Sequence, residues 1–407
     1  MKLFNKIKKT SLLVAVAALI FTSCNKLTVE PTANVQATQA TSPTLASLLD
    51  DPSYSIMKAA VIKAGLLPML SVPTLRFTMY VPDDVAMTAS GISAGAIAAL
   101  PAATVTAIVS YHISPQVITT ASISTGFPNF EYPSVFNPAP TVSALFRLSN
   151  FPSVRPGVGA WLNNIPLIAT NIMAVNGVMH KVYRVVAPPS QYLWDKINSD
   201  PELTFFKAAV QRADSGVAAG GRIQDLLLNI GGNVTVLAPT DAAMKTFLTG
   251  AIAQALIAQG LPPATALGQA SFLVATYGTL LLTNPAAISG ALAAALSPTT
   301  AKGVVVYHIL SSQKGTYAPP GIRVFSNNIP STATQVKTLL NSGGVPFSAH
   351  PGVTMQATFT GPAVSAATVK GAANATASNI LINPTLTSDL HYLNGVIQKI
   401  DQVLLPQ

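Results

Sequence analysis

Cysteine is almost missing from this sequence. Cys24 stands alone, which excludes a disulfide within the chain and a zinc site built from several thiolates. Charge is scarce as well: Asp, Glu, Lys and Arg make up 9% of the residues, against about a quarter in an ordinary soluble domain. The surface must therefore be covered largely by Ser, Thr, Asn, Gln and Ala. No uninterrupted apolar run reaches the roughly 20 residues that a membrane-spanning helix needs. The sequence also has no Gly-x-Ser-x-Gly elbow, no phosphate-cradling loop, no zinc-binding helix signature and no run of paired carboxylates. An enzyme, a metal protein or a cofactor carrier would have little to build its centre from, so none of these is expected.

What is present begins at the N-terminus. Lys2, Lys6, Lys8 and Lys9 precede the apolar run "SLLVAVAALIFTS" at 11–23, the pattern of a secretory signal peptide. The run ends at Cys24 after the small residues Thr22 and Ser23. "LIFTSC" resembles a bacterial lipoprotein processing site, with Phe21 where an aliphatic residue is usual. That likeness implies removal of residues 1–23, a lipidated Cys24 and a flexible tether over 24–43, rich in Thr, Ala and Pro. The expected location is the cell envelope, anchored by lipid to the outer membrane, on either its periplasmic or its surface face. Loss of the four leader lysines lowers the formal charge from +9 to +5. Such mild, scattered basicity is no nucleic-acid footprint.

The body of the chain repeats itself. "DDPSYSIMKAAV" (50–61) returns as "SDPELTFFKAAV" (199–210), and "RFTMYVPDDVAM" (76–87) as "NVTVLAPTDAAM" (233–244). "SYHI" (110–113) returns as "VYHI" (306–309), and "NGVMHKV" (176–182) as "NGVIQKI" (394–400). The four landmarks keep their order while their offset grows from 149 through 157 and 196 to 218. Two homologous domains are expected, 44–189 and 190–407, the second enlarged by insertions.

Each landmark has a mechanical reading. "DPSYSIMKAAVIKAGL" spaces its apolar residues for a helix. "FTMYV" and "VTVLA" are β-branched and aromatic runs closed by Pro82 and Pro239, hence short buried strands. Asp83 and Thr240 are good N-cap residues, and Asp84 and Asp241 then fall in the first turn, at the positive end of the helix dipole. This makes Asp241 a helix-starting residue and not a catalytic acid. Tyr111-His112 and Tyr307-His308 end apolar runs. A histidine there could act as a general base or a metal ligand, or could sit buried against backbone; only one such histidine per repeat, with no acid or second histidine at ligand spacing nearby, favours the last. "NGVMHKVYRVVAPP" (176–189) and "NGVIQKIDQVLLPQ" (394–407) read as an Asn-Gly hairpin, both residues tolerating positive φ, feeding a central closing strand.

Together these segments resemble the fasciclin domain, whose hallmarks are a "VFAPTDAAF"-like strand-to-helix segment, a Tyr-His pair and a terminal "NGVIHVIDxVLLP"-like strand. The second copy has "VLAPTDAAM", "VVYHIL" and "NGVIQKIDQVLLP"; the first has "MYVPDDVAM", "VSYHIS" and "NGVMHKVYRVVAPP". The first copy departs at Asp83 and Tyr183, and the second puts Gln398 where a histidine is expected. The resemblance implies an α+β fold with two fasciclin-like domains, each a wedge-shaped β-sandwich decorated by helices. It also implies a non-catalytic role in cell adhesion, with Tyr111, His112, Tyr307 and His308 as candidate interaction residues.

The Ala-rich segment at about 250–302 reads as helices broken at Gly260, Pro262, Pro263, Pro285 and Pro298, forming a helical cap or a sticky face on the second domain. The leading function is an envelope-anchored adhesion protein; the alternative is a glycan-binding accessory lipoprotein using exposed aromatics such as Trp161, Trp194 or Tyr317. The expected partners are an unidentified protein or polysaccharide and, through the lipid anchor, the membrane.

Overall fold

The computed structural model describes residues 42–128, 130–310, 322–342 and 347–407. The leader, Cys24, Tyr317 and nearly all of the tether lie outside the described residues. No helix among the described residues is long and apolar enough to cross a membrane.

In the first repeat, helices α1 (Leu45–Leu48), α2 (Ser55–Lys63) and α3 (Leu67–Ser71) lead into strand β1 (Phe77–Pro82), and α4 (Asp84–Ala89), α5 (Ala94–Ala99) and α6 (Ala102–Tyr111) follow it. The chain continues as β2 (Ile113–Ser114), β3 (Tyr132–Pro133), β4 (Ser149–Asn150), β5 (Pro152–Arg155), β6 (Gly159–Leu162), β7 (Ile165–Ala174) and β8 (Gly177–Val182). Six of these strands form one sheet in the order β2-β1-β8-β7-β6-β5, and β3 pairs with β4.

The second repeat opens with α7 (Leu193–Ser199), α8 (Thr204–Ala213), α9 (Ile223–Leu228) and β9 (Val234–Pro239). Helices α10 (Asp241–Ala258), α11 (Pro263–Tyr277), α12 (Leu280–Thr283), α13 (Gly290–Ala295) and α14 (Pro298–Tyr307) then lead to β10 (Ile309–Leu310). Strands β11 (Thr334–Val336), β12 (Val353–Thr360), β13 (Ala363–Lys370), β14 (Ser378–Ile380), β15 (Leu390–Tyr392) and β16 (Gly395–Ile400) complete it. Its sheet runs β10-β9-β16-β14-β13-β12-β11, with β15 paired to β16.

The architecture is α+β, and the two sheets share a centre residue by residue. β1 and β8 are parallel with Phe77 opposite Gly177 and Pro82 opposite Val182; β9 and β16 are parallel with Val234 opposite Gly395 and Pro239 opposite Ile400. Met79 faces Ile113 across the short antiparallel edge, and Val236 faces Ile309. The growing sequence offset is thus absorbed between strands, and the register at the centre is untouched.

All six residues of β1 are buried, as are all six of β9. Alternation along a strand sends neighbours to opposite faces. Phe77, Met79 and Val81 join Met57, Val61, Val105 and Val109 under the helices. Tyr80 joins Tyr111, Leu148, Leu162 and Val182 on the other face. β9 divides in the same way, Val236 to the helical side and Leu237 to the sheet side. A sheet covered on both faces explains why these strands read as continuous apolar runs.

The Ala-rich segment is helical and packed. α10 runs on to Ala258, α11 starts with Pro263 in its first turn, and α14 starts with Pro298; proline suits that place because the first-turn N–H has no helical partner. Leu248, Ile252, Ala270, Val274, Leu281 and Leu292 extend the core of the second repeat. Leu267, Phe272 and Leu280 stay exposed.

The Asn-Gly turns form, but for a different reason from the one expected. Asn176 and Asn394 do not take positive φ. Their side chains tie the turn to the start of the repeat: Asn176 accepts from the Leu45 N–H at 2.8 Å and donates to Leu70 O at 2.7 Å. Asn394 accepts from the Leu193 N–H at 3.0 Å and donates to Leu227 O at 2.9 Å. The glycines are needed where two backbones touch, since a Cβ at Gly177 would lie 1.9 Å from Phe77 O and one at Gly395 2.2 Å from Val234 O.

Candidate functional site

The Tyr-His pairs sit where the last helix before the sheet edge meets the closing strand. α6 ends at Tyr111 and α14 at Tyr307, so each histidine is the C-cap of its helix. His112 Nδ1 lies 2.8 Å from Ile108 O, and its Nε2 accepts the Val186 N–H at 3.0 Å. His308 repeats this with Val304 O at 2.8 Å and the Leu404 N–H at 2.8 Å. A carbonyl only accepts, so the proton is on Nδ1 and the ring is neutral. Burial pushes both histidines down from 6.5 to about 4.

The tyrosines are equally committed. Tyr111 donates its hydroxyl to Ser149 O at 3.2 Å and accepts from Asn163 Nδ2 at 3.4 Å. Tyr307 donates to Gly352 O at 2.6 Å and accepts from the Ala372 N–H at 2.9 Å. All four residues have a relative exposure of 0%. A partner at the surface does not reach them in this conformation; the histidines bind the closing segment of their own repeat, and the tyrosines bind the strands and loops that precede it.

The acids at the helix starts do more than cap. Asp83 accepts from the Ala86 N–H at 2.7 Å, and Thr240 from the Ala243 N–H at 3.4 Å. Asp84, expected to serve the dipole of its own helix α4, turns its carboxylate to the start of α2, accepting from Ser55 Oγ at 2.6 Å and the Ile56 N–H at 2.8 Å. Asp241 holds α8 in the same way through Thr204 Oγ1 at 2.5 Å and the Phe205 N–H at 2.9 Å. Each acid therefore joins two helix N-termini. Behind them stands one lysine per repeat: Lys181 pairs with Asp83 at 2.6 Å, and Lys399, 3% exposed, with Asp200 and Glu202 at 2.7 Å each.

Gln398 replaces His180 with little change of bonding. His180 Nε2 donates to Ile118 O at 2.8 Å, and Gln398 Nε2 donates to Val324 O at 2.9 Å. Beside them Asn171 and Asp389, both at positive φ, hold equivalent 3-10 turns through the N–H groups of Thr120 at 3.0 Å and Ser326 at 2.6 Å.

Sequence reasoning missed the junction of the repeats. Arg323 is buried and donates to Asn233 Oδ1 at 2.7 Å, Tyr392 O at 3.0 Å and Leu393 O at 2.7 Å. Its guanidinium also lies 5.2 Å from the ring centre of Phe151 in the first repeat. Burial lowers it to about 10, still charged at neutral pH. His391 Nε2 faces Arg323 Nη1 at 2.7 Å and so acts as an acceptor. Arg155 reaches the opposite way, 3.8 Å over Phe359, donating to Asn327 O at 3.2 Å and Ile329 O at 2.5 Å. Each repeat lends one arginine to the other. The only local signal was their rarity in a chain with so few charges. Trp161 and Trp194, named for an exposed platform, are both buried.

Residues 52–188 match the family model of the Fasciclin domain. That match lies within the first repeat. The second repeat shares its central register, helix ties and Tyr-His bonding, and is fasciclin-like in that sense. Among solved structures, a FAS1 domain pair from the insect cell adhesion molecule Fasciclin I is similar at a TM-score of 0.33 and 14% identity, over 86% of this chain and 96% of that one. None of the curated proteins compared matches the chain.

Proposed function

We propose that this chain is a cell-envelope-anchored adhesion protein that binds through its two fasciclin-like repeats and catalyses nothing. The observation that supports it best is the bonding of the Tyr-His pairs. A general base needs a nitrogen within reach of a substrate proton, and both ring nitrogens of His112 and His308 face backbone groups in a buried setting. Fasciclin domains are associated with cell adhesion, and the family match covers the first repeat. Bacterial lipoprotein status, the anchor at Cys24 and the outer-membrane location rest on the leader sequence.

Attachment of cells carrying the full chain, compared with cells lacking it, on protein-coated and polysaccharide-coated surfaces tests the adhesion reading. Equal attachment overturns it. Palmitate labelling that persists in Cys24→Ala removes the anchor, and protease shaving of intact cells decides the membrane face. Turnover of any substrate that is lost on replacing His112 or His308 would overturn the non-catalytic reading.

A further inference from the structure

Residues 246–301, between Lys245 and Lys302, include no Asp, Glu, Lys, Arg or His. The stretch holds α11 and most of α10, and it marks the second repeat alone. Where the first repeat needs only α5 between α4 and α6, the second inserts α11, α12 and α13 between α10 and α14.

The inner face of α11 is occupied, since Ala266, Ala270 and Val274 are buried. Its outer face holds out large apolar side chains: Leu267 is 53% and Phe272 64% exposed. Gly268 and Ser271 are exposed between them. Spacings of three and four residues make these four neighbours on one side of the helix. A Cβ placed on Gly268 would meet nothing within 4 Å, so the ground beside Phe272 is open. Single exposed apolar residues need no explanation, but two on one side of an element with no charge form a patch, and such patches mark interaction surfaces.

Charge decides what lies on it. A bilayer surface calls for Lys or Arg at the headgroups beside the apolar residues, and α11 supplies none. Another protein brings charge, since about a quarter of the residues of an ordinary domain are ionised. α11 has nothing to pair with such groups, and a charge buried unpaired is costly. The face of α11 itself carries no such cost. When it is laid on its own copy about a twofold axis, Phe272 of each helix enters the open ground at Gly268 of the other, and one patch serves both sides.

Size sets the strength. The 15 residues of α11 make a helix about 22 Å long and roughly 10 Å across. The contact therefore buries a few hundred Å² per copy, less than the ~800 Å² of a standard interface and in the range of transient ones.

We infer that the outer face of α11 is a self-association surface, through which two copies of this chain pair reversibly around Gly268 and Phe272. Such pairing stands whether or not the chain mediates adhesion.

Sedimentation equilibrium of the full chain between about 1 and about 100 μM, the range of a weak interface, tests it. The expected result is a monomer–dimer equilibrium that Phe272→Glu weakens by about tenfold or more. The thermal midpoint of unfolding of that variant should match the parent's, because the position is exposed. Val142→Glu, which changes a 74% exposed apolar residue of the first repeat, should leave the dimer intact. In a Cys24→Ser background, Ser271→Cys should yield a disulfide-linked dimer on mild oxidation, and Val142→Cys should not. A chain that stays monomeric throughout, or a dimer indifferent to Phe272→Glu, overturns the inference. Monomers that bind phosphatidylcholine vesicles, and lose that binding in Phe272→Glu, overturn it as well and give the face to a lipid surface.

Discussion

The first repeat ties its strand-to-helix corner with a partly exposed ion pair, Lys181 to Asp83, whose side chains are 25% and 16% exposed. The second moves the acid away, putting Thr240 at the cap and drawing Lys399 to Asp200, whose side chains are 3% and 2% exposed. The lysines are opposite equivalent strand residues, Val81 and Ala238. What the difference teaches is that the backbone geometry at this corner is fixed while the source of the negative charge is free to move. His180 and Gln398 make the same point, since each donates to the same carbonyl position.

Unequal burial of the two lysines predicts unequal mutants, and chemical denaturation is the measurement. Lys399→Met should cost about 3 kcal/mol, the low end for breaking a buried pair, because it leaves the buried Asp200 with only the partly exposed Lys196 at 3.0 Å. Next comes acid. His112 and His308 have folded values near 4 against 6.5 unfolded, so the folded state binds fewer protons than the unfolded state between those values. Their contribution is whole above pH 6.5 and is withdrawn as pH falls toward 4, by about 1.4 kcal/mol per unit for each histidine. Unfolding at a series of pH values should show that slope added to those of His180 and His391, which burial also lowers, and His112→Leu should remove about 1.4 kcal/mol per unit from it.

At neutral pH, His112→Leu and His308→Leu should each cost about 2–3 kcal/mol, since each strands a buried carbonyl and a buried N–H. A large gap between the two would break the equivalence of the repeats. Asp84→Asn and Asp241→Asn come next at about 1–2 kcal/mol, the range of a charged cap serving a second helix. Smallest is Lys181→Met, at about 1 kcal/mol for a partly solvated pair. If it equals Lys399→Met, the contrast in burial carries no energy.

What could be read from the sequence was what neighbours in sequence decide. The strands ending at Pro82 and Pro239, the caps at Asp83 and Thr240, and the order of the repeats depend on a few adjacent residues. The second duty of Asp84 could not be read, because its partner Ile56 lies 28 positions away. Nor could the bond from Val186 to His112, spanning 74 positions, or that from Arg155 to Ile329, spanning 174. Composition hinted at the buried histidines; only the folded chain brings Arg155, Asn327 and Ser153 to one cleft.

The tie between Asn176 and the N–H of Leu45, with the Val175 N–H bonded to Pro43 O at 2.9 Å, has a mechanical consequence. Tension arriving along the chain at Pro43 passes to the turn before β8, the strand at the middle of its sheet. There it meets β1 lying parallel over six register pairs, so the two strands are loaded along their length and their hydrogen bonds must yield together instead of one at a time. A force applied at Pro43 is thus delivered to the part of the first repeat best arranged to resist it.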